Sequence, residues 1–328
     1  MPHARILVGD VRTRLAEIPD GSVRTCITSP PYFGLRDYGT GEWEDGSPDC
    51  DHIAPPTGGP SKKGQRGKFS ADGQYKNTCR KCGAKRIDAQ IGLEETPDEY
   101  VANLVAVFSE IRRVLTADGT VWLNLGDSYA GSGKGGQSAE KRSKGWQPEY
   151  ANKGATYGLK SKDLLGIPWR VAFALQQDGW YLRSDIIWHK PNPMPESVTD
   201  RPTKSHEYLF LLTKSPRYYY DHEAIKEPVV DLDGKRNSRD VWTISTKPFK
   251  GAHFAVMPEA LAEPCILAGS APGDTVLDPF AGSGTVAVVA LRHGRNFVGT
   301  ELNPEYSEIA QNRIYDDAPM FYQIEVVE

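Results

Sequence analysis

The segment 275–285 combines residue types and a spacing that suit the binding of a ribose-containing ligand. A short apolar run ends on Asp278, and Gly282 and Gly284 then precede a second apolar run. Glycine allows the backbone to approach a ligand closely and to adopt positive φ. Glu301 follows Gly282 by nineteen residues, close to the ~20 expected of an acid that binds ribose in a βαβ unit. We therefore predict a strand, a ligand-binding turn, a helix and a second strand that ends on this acid.

A second chemically distinctive stretch directly follows an apolar run and consists of Ser29, Pro30, Pro31 and Tyr32. Consecutive prolines fix φ and donate no backbone hydrogen bond, so nearby carbonyls can be held as rigid acceptors. The serine hydroxyl adds an acceptor, and the tyrosine ring adds a stacking surface. This group would orient an exocyclic amine and hold the ring that carries it. Taken alone, the tetrapeptide is more typical of a strand-end turn with a packed tyrosine.

The elements around both motifs predict one doubly wound, mostly parallel α/β sheet. Apolar runs predict strands near 6–10, 23–28, 120–125, 181–188, 207–212, 275–278 and 296–301. Helices are expected at 97–115, 163–177, 258–268 and 285–293, and a helix at 304–314 is expected to finish the chain. Ligands of such sheets bind beyond the carboxyl ends of strands, near the switch in strand order. We therefore expect the two motifs to face one crevice.

The glycine turn alone leaves the ligand open. Gly282 and Gly284, followed by Ala287, also satisfy the dinucleotide pattern with alanine in third place, which would suit an NAD-dependent oxidoreductase. The oxidoreductase hypothesis assigns no function to the tetrapeptide at 29–32. A glycine-rich turn without a ligand is another alternative. A third is a zinc-ribbon DNA-binding module on an inactive α/β body.

Together the two motifs closely resemble the signature pair of S-adenosylmethionine-dependent DNA amino-methyltransferases. Their order, with the tetrapeptide first and the glycine turn last, is similar to the permuted beta group. The resemblance covers the core but not the long inserts, and it implies a Rossmann-like methyltransferase fold, S-adenosyl-L-methionine as cofactor and double-stranded DNA with a flipped base as substrate. Serine at position 29 is, within this family, more typical of cytosine-N4 than of adenine-N6 enzymes and does not exclude the latter.

The resemblance also implies roles for individual residues. The pocket for the cofactor would be formed by Asp278, Phe280, Ala281, Gly282, Gly284 and Thr285. Glu301 would take the ribose hydroxyls, and residues 253–258 would line the methionine end. Asp10 is placed like the residue that contacts adenine, with a turn-capping aspartate as the alternative. The target base would be held by Ser29, the Pro30 carbonyl and Tyr32.

Two close pairs of potential metal ligands lie in the polar segment 38–92. They are Cys50, His52, Cys79 and Cys82. Four such ligands fit a closed tetrahedral zinc site, and disulfides are not expected in a reducing cytosol; free thiols are the alternative. Zinc would fold a zinc-ribbon-like insert that is too polar to have its own core. Because residues 60–86 carry nine Lys or Arg and one acid, this insert is a candidate for part of the DNA-reading surface.

Composition limits the class of protein. The net charge of −4 argues against a uniformly basic nucleic-acid binder, and 39% hydrophobic residues fit a globular enzyme. No apolar run approaches the ~20 residues of a membrane span, and the N-terminus has no signal-peptide core. We therefore expect a cytoplasmic location and no membrane partner. The sequence leaves open whether the chain forms a homodimer and whether a cognate restriction endonuclease accompanies it.

The same patterns predict how the chain is organised. The methyltransferase core would begin at 1–37, and the metal-binding insert would follow at 38–92. The core would resume at 93–220 with a mobile loop at 127–161. A polar link, 221–250, is a second candidate for target recognition, and the cofactor-binding half would occupy 251–328.

Overall fold

A computed structural model of the chain describes residues 1–53, 78–130, 159–229, 234–246, 256–317 and 322–328. Most of the predicted loop (131–158), the basic positions between 60 and 77, and residues 253–255 lie outside the described residues. No helix in the described part of the chain is long and apolar enough to cross a membrane.

The elements are numbered in chain order. The strands are β1 (His3–Val8), β2 (Val23–Thr28), β3 (Glu42–Glu44), β4 (Lys85–Ile87), β5 (Leu115–Leu125), β6 (Tyr181–His189), β7 (His206–Thr213), β8 (Glu227–Pro228), β9 (Lys235–Arg236), β10 (Val241–Thr243), β11 (Thr275–Asp278), β12 (Asn296–Glu301) and β13 (Gln323–Val327). The helices are α1 (Val11–Arg14), α2 (Pro97–Val114), α3 (Ile167–Gln177), α4 (Glu259–Gly269), α5 (Thr285–Arg292) and α6 (Pro304–Asp317).

Nine strands form one sheet in the order β10-β6-β7-β5-β2-β11-β12-β1-β13. Among these described strands, only β7 runs antiparallel to its neighbours, β5 and β6, so the predicted doubly wound, mostly parallel sheet is confirmed. The switch in strand order falls between β2 and β11, which pair in parallel register with Leu277 opposite Cys26. The two sequence motifs therefore begin side by side at the carboxyl ends of two central strands.

The core lies on both faces of the sheet. Successive side chains of a strand point to opposite faces, so Cys26 packs with α2 and α3 while Ile27 packs with α4 and α5. Cys26 and Cys265 are fully buried, and burial raises the pKa of both thiols. Both cysteines are core residues, as the sequence predicts.

Local sequence signals set the start of α2. The Thr96 hydroxyl accepts a hydrogen bond from the Glu99 amide at 3.2 Å, and the Glu99 carboxylate accepts from the Thr96 amide at 3.3 Å. This is a capping box, with Pro97 in the first turn. Reciprocal capping satisfies amides that have no partner within the helix.

The start of α3 differs from the prediction. The helix begins at Ile167 and not at 163, and its N-cap, Gly166, has a left-handed φ of 70°. The Asp127 carboxylate accepts from the amides of Gly166 and Ile167, both at 3.1 Å. Because this cap comes from the loop after β5, about forty residues earlier in the chain, local sequence could not place the boundary.

The prediction that a helix finishes the chain is wrong. Residues Gln323–Val327 form β13, which pairs in parallel with β1 at the edge of the sheet. Its side chains largely alternate between exposed and half-buried, and Ile324 and Val326 pack on the core. A five-residue edge strand with polar alternate positions has too little apolar periodicity to stand out in a sequence.

Candidate active site

The two motifs meet through a hydrogen bond between the ends of β2 and β11. The Thr28 hydroxyl donates to Asp278 Oδ1 at 2.7 Å, and both side chains are buried. The Phe280 amide donates to the same carboxylate oxygen at 3.1 Å. Burial raises the pKa of Asp278 to about 7. The predicted juxtaposition of the tetrapeptide and the glycine turn is therefore present.

A cavity of about 750 Å³ opens at the carboxyl ends of these central strands. Its volume falls within the ~300–1,000 Å³ usual for ligand and cofactor sites. The predicted site residues that line it are Asp10, Ser29, Pro30, Pro31, Tyr32, Asp278, Phe280, Ala281, Gly282, Thr285 and Glu301. Val256 and Met257, from the segment expected at the methionine end, line it as well.

Glu301 holds the glycine turn in place. One carboxylate oxygen accepts from the Gly282 amide at 2.8 Å, and the other accepts from the Asn303 amide at 2.9 Å. Each oxygen has a second lone pair with which to accept from a ligand hydroxyl. Burial raises the pKa of Glu301. Binding of ribose hydroxyls by Glu301 stays a prediction.

The two glycines of the turn serve different purposes. Gly282 lines the cavity and has a φ of 52°. Gly284 is the N-cap of α5 with a φ of 76°, and a Cβ there would lie 2.8 Å from the Cβ of Ala310. Gly284 is therefore required by the packing of α5 against α6, and it is not among the described residues that line the cavity.

Asp10 lies in the cavity wall and caps α1. Its carboxylate accepts from the Arg12 amide at 2.8 Å and from the Arg12 guanidinium at 2.9 Å. This is the turn-capping alternative that the sequence left open. Contact between Asp10 and a cofactor stays a prediction.

A hydrogen-bond network fixes the side chains of the tetrapeptide. The Tyr32 hydroxyl donates to Glu207 Oε2 at 2.7 Å and lies 3.1 Å from Asn124 Oδ1. The Ser29 hydroxyl donates to the same Asn124 oxygen at 3.3 Å, while the Asn124 amide donates to the Tyr208 carbonyl at 3.0 Å. The Ser29 hydroxyl also lies 3.4 Å from the Tyr32 hydroxyl. Because Ser29 is the donor in both contacts, its oxygen keeps lone pairs with which to accept from a ligand.

Three polar residues around the tetrapeptide were missed by sequence reasoning. Asn124 interrupts the apolar strand β5, which was a usable signal because buried polar side chains need partners. Glu207 and Lys190 form an ion pair in which both side chains are 16% exposed, and the Lys190 ammonium lies 4.0 Å from the centre of the Trp188 ring. Burial and the Glu207 carboxylate raise the pKa of Tyr32.

Gly126 gives Tyr32 the room it needs. A Cβ at position 126 would lie 2.5 Å from the Tyr32 ring, closer than non-bonded carbon atoms approach. The backbone of Gly126, in the loop after β5, therefore packs directly against the Tyr32 ring. Together with the hydrogen bond to Glu207, this contact restricts the orientation of the ring.

The four predicted metal ligands come together in the insert. The ligand atoms of Cys50, His52, Cys79 and Cys82 all lie within 4.8 Å of one another. Cys50 Sγ is 3.7 Å from Cys79 Sγ, and Cys82 Sγ is 3.6 Å from His52 Nδ1. Zn–S bonds of ~2.3 Å in a tetrahedron place two sulfurs about 3.8 Å apart. The donor set and spacing therefore fit a tetrahedral zinc ion.

The chain is similar in sequence and in fold to known DNA methyltransferases. A family described as DNA methylase matches residues 23–312. The type II methyltransferase M.Cfr9I of Citrobacter freundii is 49% identical over 311 residues, which cover 95% of this chain and 87% of that protein. Among solved structures, the PvuII DNA methyltransferase (cytosine-N4-specific) superposes with a TM-score of 0.60 and 16% identity, covering 98% of this chain and 95% of that one. The M1.HpyAVI–SAM complex superposes with a TM-score of 0.53 and 16% identity, covering 95% and 98%.

Proposed function

We propose that this chain, which belongs to the DNA methylase family of amino-methyltransferases, transfers a methyl group from S-adenosyl-L-methionine to the exocyclic N4 amine of a flipped cytosine in double-stranded DNA. The observation that carries the proposal is the hydrogen bond between Thr28 and Asp278, which brings the tetrapeptide and the glycine turn to one cavity. An amine-orienting group and a ribose-binding group would therefore act in the same space. An oxidoreductase would leave the tetrapeptide without a role.

The cofactor assignment rests on Glu301 and the glycine turn. A carboxylate that braces the turn suits ribose hydroxyls, and the glycine backbone suits a close approach of the ligand. M1.HpyAVI, which has the same fold, has been solved in complex with SAM. The bound cofactor would supply an activated methyl group on a positively charged sulfur.

The tetrapeptide would overcome the low nucleophilicity of the amine. The nitrogen lone pair of cytosine N4 is delocalised into the ring, and an acceptor at Ser29 Oγ favours the pyramidal nitrogen in which that pair is localised. The localised lone pair would form a bond to the methyl group that the bound cofactor supplies, with the electrons of the broken C–S bond kept by sulfur, and loss of one N–H proton to water would leave a neutral amine. Positioning supplies much of the catalysis, so no cysteine nucleophile is needed.

The choice of cytosine over adenine is supported by two features. Serine heads the tetrapeptide at position 29, which is more typical of cytosine-N4 enzymes in this family. The PvuII methyltransferase, which shares the fold, is described as cytosine-N4-specific. Methylation of adenine N6 would use the same arrangement and is a distinguishable outcome of the test below.

Structural zinc in the Cys/His cluster is a second part of the proposal. Three thiols and one imidazole, with two sulfurs 3.7 Å apart, suit this metal. The ion would be structural because four protein ligands leave no open position for a substrate. It would hold together an insert that has little apolar surface to bury.

The test is mass spectrometry of nucleosides from DNA incubated with the protein and methyl-labelled cofactor. The wild type should produce N4-methylcytosine, and the Ser29→Ala and Glu301→Gln variants should lose most of that product. Ser22→Ala and Glu308→Gln, at exposed positions that do not line the cavity, are matched controls and should keep it.

The outcomes separate the alternatives. N6-methyladenine would overturn the base assignment and keep the mechanism. A protein that binds cofactor and methylates no DNA base would overturn DNA as the substrate. A folded protein that binds no cofactor would overturn the proposed function as a whole.

A further inference from the structure

The metal-ligand insert is joined to the tetrapeptide side of the cavity through a buried ion pair. Arg86 lies on β4 opposite Trp43 of β3, and its guanidinium donates to both carboxylate oxygens of Asp37 at 2.7 and 3.0 Å. The two side chains are only 2% and 6% exposed. A bidentate pair fixes the position of both groups. The Asp88 carboxylate lies 2.9 Å from the same guanidinium, so loss of Arg86 would remove the cation that faces two largely buried carboxylates.

A second set of hydrogen bonds joins the same two segments. Gln90 accepts from the Tyr38 amide through Oε1 and donates to the Arg36 carbonyl through Nε2, both at 2.8 Å. The Thr40 hydroxyl donates to Asp88 at 2.8 Å. The backbone between positions 36 and 40 is therefore clamped against positions 86–90.

This clamp places an aromatic residue beside the junction between β12 and α6. The rings of Tyr38 and Tyr306 meet edge to face with centroids 6.1 Å apart, and the side-chain nitrogen (Nδ2) of Asn303 lies 3.4 Å from the Tyr38 carbonyl oxygen. Tyr38, Asn303 and Tyr306 line the same cavity as Glu301. An aromatic surface next to a ribose-binding carboxylate suits an adenine ring.

We propose that Tyr38 forms a wall of the site for the adenosine part of the cofactor, and that the buried Arg86–Asp37 pair holds this wall in place from the metal-ligand insert. The inference rests on the proposed function, since it assumes a cofactor that contains a nucleoside. It gives the insert a part in cofactor binding in addition to any contact with DNA.

The Cys/His cluster contacts both strands of the small sheet that carries Arg86. The Cys79 amide donates to the Ala84 carbonyl at 2.8 Å, which closes the turn that leads into β4. The Trp43 ring, on β3 opposite Arg86, stacks on the His52 imidazole with centroids 4.4 Å apart. Both strands of this small sheet are thus tied to metal ligands, so loss of the cluster should loosen the wall.

The inference is tested by titration calorimetry with S-adenosylhomocysteine, and the fold of each variant is monitored by circular dichroism and thermal melting. Tyr38→Ala should raise the Kd roughly 10-fold, equivalent to about 1.4 kcal/mol, whereas Tyr38→Phe should change it much less because the ring is kept. Arg86→Ala should raise the Kd by a similar factor. Lys85→Ala, the exposed neighbour on β4, should bind like the wild type.

Each result decides between alternatives. A well-folded Tyr38→Ala or Arg86→Ala variant with wild-type affinity would overturn the inference. If Arg86→Ala does not melt cooperatively, Arg86→Lys replaces it, because lysine keeps the charge and loses the bidentate geometry; wild-type affinity there would again contradict the proposal. Failure of the wild type itself to bind S-adenosylhomocysteine would overturn the proposed function instead.

Discussion

The phenol of Tyr32 donates a 2.7 Å hydrogen bond to the carboxylate of Glu207, which lies 175 positions later in the chain. Tyr32 follows β2, and Glu207 lies at the start of β7, the strand that runs antiparallel to its neighbours. Because β7 runs opposite to the other strands, its first residues lie beside the carboxyl ends of those strands. The reversal therefore brings a carboxylate to the tetrapeptide.

Glu207→Ala should lower the rate of methyl transfer about 100-fold, an effect typical of a group misplaced by ~1 Å. The substitution removes the anchor of Tyr32 and leaves Lys190 without its ion-pair partner. The affinity for S-adenosylhomocysteine should change little, because the cofactor turn is braced by Glu301. Single-turnover rates and calorimetry would measure the two effects, with the exposed Glu308→Ala as control. An unchanged rate would contradict the assigned role of Glu207.

Asp278 should make the protein less stable as the pH rises from about 5 to about 8. Burial raises the pKa of its carboxyl from 3.8 to about 7. Between these values the folded state holds a proton that the unfolded state has released, so the free energy of unfolding falls with increasing pH. The loss should be about 2–3 kcal/mol. Urea unfolding at both pH values would measure it, and Asp278→Asn should lack this part of the pH dependence; equal slopes in the two proteins would refute the prediction.

Gly284→Ala should destabilise the fold, whereas Gly282→Ala should chiefly weaken cofactor binding. An alanine at 284 would adopt a φ of 76° and place its Cβ 2.8 Å from that of Ala310, which together should lower the free energy of unfolding by about 2–4 kcal/mol. Denaturant unfolding and calorimetry would separate the two variants. Gly284→Ala should cost less stability in an Ala310→Gly background than in the wild type, because the Cβ that it meets is gone; an equal cost in both backgrounds would mean that the contact with α6 is not the cause.

The purified protein should contain one zinc ion per chain, and Cys82→Ser should lose it because one of the four clustered ligand atoms is removed. Metal analysis by mass spectrometry would measure the content, and thermal melting should show a lower Tm for the variant. Cys265→Ala is the matched control, since Cys265 is buried in the core away from the insert and should leave the metal content unchanged. A wild-type protein purified without chelators that holds no metal would sink the assignment.

The sequence could predict the two motifs, most of the strands and helices, and the four clustered ligands. These features are local: apolar runs set the strands, Thr96 and Glu99 cap α2 within one turn, and Cys79 and Cys82 lie on one knuckle. The acid that ends β12 could be identified as well, because it follows the glycine turn at the separation of one βαβ unit.

The partners of these motifs come from the tertiary fold. Asp127 caps α3 from the loop after β5, Glu207 reaches Tyr32 because β7 is reversed, and Arg86 holds Asp37 from the insert. Each of these contacts joins residues that are about 40 to 175 positions apart. A single charged residue in a strand or loop belongs to no local sequence pattern from which its partner could be predicted. The kind of chemistry could be inferred from the sequence through the resemblance of the two motifs to one family, because the residues of each motif lie within a few positions of one another. The order and direction of the strands decide which distant side chains orient those residues, because they set which strand ends lie next to one another.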